Sequence, residues 1–450
     1  MHTSANISTV LRSLITVAAG LVATSSALGA DLLQIFRDAR ANDAVFASAR
    51  SVLEAGREKL PQGKALLLPT VNLTGSSIWT DLDSRAGTPN ALYTSRQFYT
   101  NLWTVTLNQP LFRLQNWSQY SQAEFQVAQS EAQFGQASQD LIVRTAQAYF
   151  DVLGSQDSLA FIQAQKTAIS EQLAQAKRNF EVGTATITDT HEAQARFDLS
   201  TSQELAAQND LEFKKSALQQ LIGKSPDSLT PLRPKLQLSP PQPAVMEKWV
   251  ETAQKENFAV RVQEAAVEIA SREVERNRAA NYPTLDLVGT YGGTSTTGTT
   301  TNVSGADLKA ATIGLQLALP LYAGGSISSR IRESMANQEK ARSDLENSRR
   351  QAALTTRQSY LGVTNGMAQV RALGQALISS ETALASNKLG YEVGVRINID
   401  VLNSQQQVFS TKRDLSKATY DTIMNGLRLK AATGSLTEAD VAEVNRLLGS

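Results

Sequence analysis

Four stretches of the chain alternate strictly between apolar and polar residues. Over 71–80, Val71, Leu73 and Trp79 alternate with Asn72, Thr74 and Ser76. Over 99–108, Tyr99, Trp103, Val105 and Leu107 alternate with Thr100, Thr104 and Thr106. Over 285–293, Leu285, Leu287 and Tyr291 alternate with Asp286 and Thr290, and 310–319 reads the same way. A period of two over about ten residues, with aromatics towards the ends, predicts strands of an outer-membrane barrel. The other reading of these stretches is two hairpins capping a helical bundle.

Between the strands the period changes. From Leu111 the chain is rich in Gln, Ala, Ser and Glu, which favour helix. Val127, Phe134, Leu141 and Ala148 recur every seven residues, as in a coiled-coil seam. Proline, the strongest helix breaker, is absent from 111–225 and from 321 onward. The pattern predicts a long helix over 111–181, a turn at Gly183 and a return helix over 187–222. A second set follows: a helix over 244–280, a long helix over 322–389, a turn at Gly394 and a return over 399–432. The start of the mature chain, 32–60, supplies the remaining upper helix. A rod of some 70 residues is roughly 105 Å long, more than a globular domain needs. Pro110 and Pro320 are read as opening the two rods, with Gly324-Gly325 just inside the second.

The chain is also written twice. Gln109-Pro110-Leu111-Phe112 returns as Leu319-Pro320-Leu321-Tyr322, Glu181-Val182-Gly183-Thr184 as Glu392-Val393-Gly394-Val395, and Asn42-Asp43 as Asn257-Phe258. The division is a signal peptide at 1–30, a first repeat at 31–243 with an irregular segment at 223–243, and a second repeat at 244–450 ending in a matching tail. Arg12 followed by apolar 14–23 and small residues to Ala30 reads as the secretory signal, cleaved after Gly29 or Ala30.

Composition narrows the chemistry. The 450 residues include no cysteine and two histidines, His2 and His191. Cysteine nucleophiles are excluded, and a histidine triad or zinc site would rest on His191, read as a solvated helix residue. A net charge of +1 supplies no field for nucleic acid. No enzyme, metal site or cofactor is expected. Four strands cannot close a barrel, and lipid tolerates no open sheet edge. The edges must be completed by other copies: two chains give a tight eight strands, and three give twelve, which suits a wall of twelve helical rods better.

The residues that carry a resemblance are now in view: Asn108-Gln109-Pro110-Leu111-Phe112; Leu319-Pro320-Leu321-Tyr322-Ala323-Gly324-Gly325; Phe180-Glu181-Val182-Gly183-Thr184 with Asp189; and Gly390-Tyr391-Glu392-Val393-Gly394 with Arg396 and Asp400-Val401-Leu402. Over 31–440 the chain resembles the TolC family of outer-membrane export ducts, and its type I secretion branch most. The resemblance implies an α+β, mostly α fold. A trimeric twelve-stranded β-barrel, four strands per chain, would continue into a long α-helical coiled-coil tunnel across the periplasm. It implies an outer-membrane location and a passive exit duct. The partners would be a periplasmic adaptor and an inner-membrane ABC or proton-driven transporter, and the cargo protein or small molecules.

For this chain the resemblance assigns a gate to Asp189, Tyr391 and Arg396, with Arg396 and the Tyr391 hydroxyl engaging Asp189. It assigns a lumen constriction to Asp400 and Asn403. Asn403 stands where a second acid is common, so Asn403→Asp is expected to strengthen block by multivalent cations. Asp400 also reads as a helix N-terminal charge. Docking tips fall at Gly183-Thr184 and Gly394-Val395, where Val395 replaces a common threonine. Trp79, Trp103 and Tyr291 are read as an interfacial girdle or as packing in the barrel mouth. The competing functional reading is a soluble periplasmic coiled-coil adaptor, and a more distant one is an exported hydrolase.

Overall fold

The computed structural model describes residues 29–85, 93–226, 228–234, 236, 238–299 and 304–449. The expected signal peptide therefore lies outside the described residues, apart from Gly29 and Ala30. Part of the first strand-to-strand connection, 86–92, lies outside them too.

Strands β1 (Thr70–Arg85), β2 (Tyr93–Phe112), β3 (Thr284–Thr296) and β4 (Ala306–Ala318) form one antiparallel sheet in the order β1-β2-β3-β4. All four occupy the predicted stretches; β1, β2 and β3 run further than expected, and β4 starts and ends earlier than expected. The register sorts the residues by face. Leu73 opposes Val105, Val105 opposes Tyr291, Gly289 opposes Ile313 and Leu287 opposes Leu315, which makes one face apolar. Thr74 opposes Thr104, Thr106 opposes Thr290 and Thr290 opposes Thr312, which makes the other face a threonine ladder. Trp103 and Tyr291 meet edge-on on the apolar face, ring centroids 5.4 Å apart. Ile313 and Leu317 are 78% and 70% exposed, although an apolar face of this kind is stable only against lipid or protein. Among the described residues the outer edges of β1 and β4 carry no partner strand.

The helical part has ten helices among the described residues: α1 (Leu32–Asn42), α2 (Ala44–Arg57), α3 (Lys59–Ala65), α4 (Leu114–Glu181), α5 (Ile187–Ile222), α6 (Met246–Glu256), α7 (Phe258–Ala279), α8 (Ser326–Glu392), α9 (Asn398–Ala432) and α10 (Glu438–Asn445). At 68 residues, α4 is about 100 Å long. Below the middle of the rods the packing order is α5-α4-α9-α8, and above it α2 and α3 pack on α4, α4 on α7 and α7 on α8. The result is a palisade of helices, with α1 and α10 packed against it at mid-height. Its free flanks are α5 with α2 on one side and α8 on the other.

Several boundaries differ from the sequence reading, each for a local reason. The helices expected at 32–60 and 244–280 are broken, at Asp43 and Asn257. Each of those side chains accepts hydrogen bonds from the amides of the helix that follows: Phe46 N on Asp43, Ala259 N and Val260 N on Asn257. The structural equivalents are thus Asp43 and Asn257, one residue away from the Asn42–Asn257 sequence match. Pro61 is tolerated because it falls in the first turn of α3, where amides lack partners anyway.

Pro110 does not begin a rod. It lies inside β2 at a bulge against β3, beyond the point where β1 starts at Thr70, so its missing N–H leaves no ladder bond unmade. Pro320 lies ahead of α8, which starts at Ser326. Gly324 and Gly325 stand before that rod rather than inside it, with φ of 61° and 79° that a helix cannot accommodate.

The main core sits at mid-height. Leu32, Ile35 and Phe36 of α1 pack against Tyr149 and Phe150 of α4, Leu218 and Ile222 of α5, and Met424 of α9. The irregular belt, 223–243, closes over it. Leu229 bridges to Ala30 and Leu232 to Leu448, and the buried Tyr149 hydroxyl donates to Thr230 O at 2.8 Å. The expected C-terminal tail carries α10, whose Asp440 holds Lys430 of α9 at 2.7 Å.

Candidate functional site

Two turns form the far end of the palisade. At the end of α4, Gly183 takes φ of 75°, and the amides of Thr184 and Ala185 return to Asn179 O at 2.8 and 3.2 Å. At the end of α8, Gly394 takes φ of 79°, and the amides of Val395 and Arg396 return to Gly390 O at 2.9 and 3.0 Å. The left-handed glycine that closes a helix end is required in both copies. Val182, Val393, Val395 and Ile397 are all more than 60% exposed around these turns.

The copies diverge at the next residues, and this sets the charges. Thr186 caps α5 in a reciprocal box with Asp189: the Asp189 amide donates to the Thr186 hydroxyl at 3.3 Å, and Asp189 Oδ2 accepts from Thr186 N at 3.0 Å. In the second copy Ile397 stands in place of Thr186, and α9 has no side-chain cap. Asp400, the counterpart of Asp189, is left to Arg396 at 3.6 Å. The expected Arg396–Asp189 pairing is therefore not formed in this chain. Arg396 reaches Asp400 instead, four residues further along the chain, while Asp189 Oδ2 accepts from both the amide and the hydroxyl of Thr186. Tyr391 does not reach Asp189 either; its hydroxyl accepts from Asn179 Nδ2 at 3.1 Å.

Four further side chains outside the sequence reading, Gln172, Arg196, Asn398 and Gln406, tie the two hairpins together. Asn398 is 1% exposed; its Oδ1 accepts from Gln172 Nε2 of α4, and its Nδ2 donates to Asp189 O of α5 at 3.4 Å. A buried amide in this position is stable because both ends are satisfied. Arg196 of α5 reaches across to α9, with Nη1 on Gln406 Oε1 at 2.6 Å and Nη2 on Asn403 Oδ1 at 3.0 Å. Asn403 is thus the acceptor of a guanidinium. The apolar support is a small cluster of Ile169, Leu173, Ala176, Ala193 and Leu402. One signal for Asn398 was present in the sequence: it is a polar residue where the first copy has the apolar Ile187.

An open sheet with one apolar and one threonine-lined face, continued by helical rods that end in paired hairpin turns, defines a channel-forming protein of the outer membrane. Among the described residues no helix is long and apolar enough to cross a membrane. The chain belongs to the outer membrane efflux protein family, whose profile matches residues 35–224 and 249–435. It is 32% identical over 431 residues to the outer membrane protein TolC of Vibrio cholerae, covering 95% of this chain and 96% of that protein. It is 32% identical over 425 residues to the alkaline protease secretion protein AprF of Pseudomonas aeruginosa, covering 94% and 88%.

Two solved structures share the fold. The outer membrane protein VceC of Vibrio cholerae aligns with a TM-score of 0.75 at 18% identity, over 90% of this chain and 96% of that one. The CmeC outer membrane channel of Campylobacter jejuni aligns at 0.78 and 17%, over 93% and 90%. The protein is an outer-membrane export channel. The adaptor reading is set aside: the chain carries two copies of the strand pair and matches the efflux family over nearly its whole length.

Proposed function

We propose that three copies close into one duct through which an inner-membrane transporter, acting through a periplasmic adaptor, exports cargo. The observation that carries this reading is the pair of unpaired sheet edges. β1 and β4 each present a row of backbone donors and acceptors that hydrocarbon cannot satisfy. Three four-stranded sheets make a closed barrel of twelve strands, and the palisades beneath close into a tunnel. The flanks support the same assembly. Leu354, Leu361 and Ile378 on α8 and Leu199 and Phe213 on α5 are each 48% or more exposed, and these two helices become neighbours when the ring closes.

The tip is the gate of this duct. Its links are Asn179–Tyr391, Gln172–Asn398, Asn398–Asp189 O and Arg196 with Asn403 and Gln406, joined by the Arg396–Asp400 pair. The exposed turns at Gly183-Thr184 and Gly394-Val395 are the surface an adaptor takes. Asp400 with Asn403 lines the narrowest level. The names of AprF and of the Dickeya chrysanthemi PrtF, both protease secretion proteins, support a polypeptide among the cargoes. Light scattering of the detergent-solubilised protein is expected to give three times the chain mass, and planar bilayers are expected to show small, uniform conductance steps. A monomer in detergent without conductance would defeat the reading.

A further inference from the structure

Arg196 stands out from the other polar links at the tip. Its acceptors, Asn403 Oδ1 and Gln406 Oε1, are both neutral. Among the described residues none of the acids of these two hairpins pairs with it: Asp189 accepts from Thr186, Asp198 from Gln194 at 2.9 Å, and Asp400 pairs with Arg396. Glu192, one turn back on α5, makes no ion pair with it, and among the described residues Arg196 has no ionic partner. Asn403 and Gln406 are exposed residues one helical turn apart on α9, so the guanidinium is spread across the open side of the seam rather than folded into it.

A planar guanidinium can satisfy two acceptors at once and still keep its full charge when those acceptors are amides. We propose that Arg196 is the specificity-determining residue of the constriction. It ties the first hairpin to the second and sets a ring of guanidinium groups, held on amide oxygens rather than carboxylates, at the level of Asn403. This rests on the reading of the chain as a trimeric duct closed at its tip. A consequence concerns Asn403→Asp. A carboxylate placed there would be taken by Arg196 as an ion pair, so the new acid would not act as a free cation site. Asn403→Asp alone therefore gives little gain in multivalent block. The gain should appear only when Arg196 is removed as well.

The test is reversal-potential and conductance measurement on the full-length protein in planar bilayers under a KCl gradient, with lanthanum chloride as the blocking probe. Arg196→Gln is expected to raise conductance and to shift permeability several-fold towards K+ over Cl−. Arg196→Lys keeps the charge but loses the fork, so it is expected to raise conductance while leaving selectivity in place. Asn403→Asp alone should leave lanthanum block near the wild-type level, whereas Arg196→Gln with Asn403→Asp should strengthen it well beyond the sum of the single changes. Trimer yield, read on a native gel, separates these effects from misfolding. If the wild-type protein conducts and Arg196→Gln matches it in conductance and selectivity, the assignment is overturned while the duct stands. If the wild-type protein forms no channel, the duct reading falls and takes this one with it.

Discussion

The ion pair between Arg113 and Asp286 gives the sharpest test of how barrel and tunnel are joined. Arg113 lies in extended backbone between β2 and α4, and Asp286 lies on the polar face of β3. Nε of Arg113 meets one carboxylate oxygen at 2.8 Å and Nη2 meets the other, a two-pronged contact between the residue that opens a first-repeat rod and a second-repeat strand. The two partners are not equally enclosed: the Asp286 side chain is 8% exposed and that of Arg113 is 37%.

The costs of cutting the pair should therefore differ. Arg113→Met leaves a carboxylate enclosed without its cation, and breaking an enclosed pair in this way costs about 3–5 kcal/mol. Asp286→Asn leaves a guanidinium that can turn to water. Its loss is nearer that of a charge-assisted hydrogen bond reduced by solvent screening, about 1–2 kcal/mol. Arg113→Met with Asp286→Leu removes both charges and should recover most of the loss. Urea titration of the trimer in detergent, followed by circular dichroism, measures all three. Equal losses for the two single variants, or a larger loss for Asp286→Asn, would refute the reasoning and place the carboxylate in water.

Acid sensitivity should trace in part to Asp43. Burial pushes its carboxyl up, but the hydrogen bond and charge of Arg144 and the amides of Phe46 and Val45 outweigh burial and hold it below its ordinary 3.8. Its contribution is present above that value and is lost as pH falls through the lower folded pKa, so Asp43→Asn should flatten the acid limb of a melting-temperature profile while keeping the helix cap. Gly183→Ala and Gly434→Ala share a positive φ but differ in surroundings. A Cβ on Gly183 meets nothing within 4 Å and should cost about 1–2 kcal/mol, whereas on Gly434 it would lie 2.3 Å from Glu256 O and should prevent assembly, as trimer yield will show. Tyr391→Phe and Asn179→Ala delete the same bond, so each should raise single-channel conductance and the double variant should add little to either.

Most of the architecture was legible because it rests on signals that survive without tertiary context. Alternation placed the strands, the absence of proline placed the rods, and the glycines placed the tip turns. The return helix at 187–222 fell where expected because Thr186 and Gly223 mark its ends chemically. The breaks at Asp43 and Asn257 were missed because a capping side chain in mid-helix reads like any surface polar residue. Pro110 was misplaced because a proline is as acceptable at a sheet margin, where the neighbouring strand has ended, as at a helix start. At the tip, sequence named residues from the right turns but paired them wrongly. Which acid is free depends on whether residue 186 or 397 carries a hydroxyl, and which hairpin face meets the other depends on register. Arg196 and Gln406 could be joined only once α5 and α9 were set side by side.

The distribution of packing favours the proposed opening at the tip over one at the belt. At mid-height Leu32, Ile35, Leu218, Ile222 and Met424 are all at or below 1% exposure, and each fully buried side chain of this size contributes about 1.5–3 kcal/mol. Near the tip the apolar cluster holds five residues, of which Ala176 and Ala193 bury little. What joins the hairpins there is chiefly hydrogen bonds, each worth about 0.5–1.5 kcal/mol net. Asn179–Tyr391, the two bonds of Asn398 and the two of Arg196 together amount to a few kcal/mol per chain. That favours the joined arrangement of the hairpins within each chain, yet it lies below the roughly 8 kcal/mol a partner of micromolar affinity supplies. A partner that bound the open arrangement of the exposed turns could separate the hairpins while the belt core stayed intact, because the two regions share rods but not side-chain contacts.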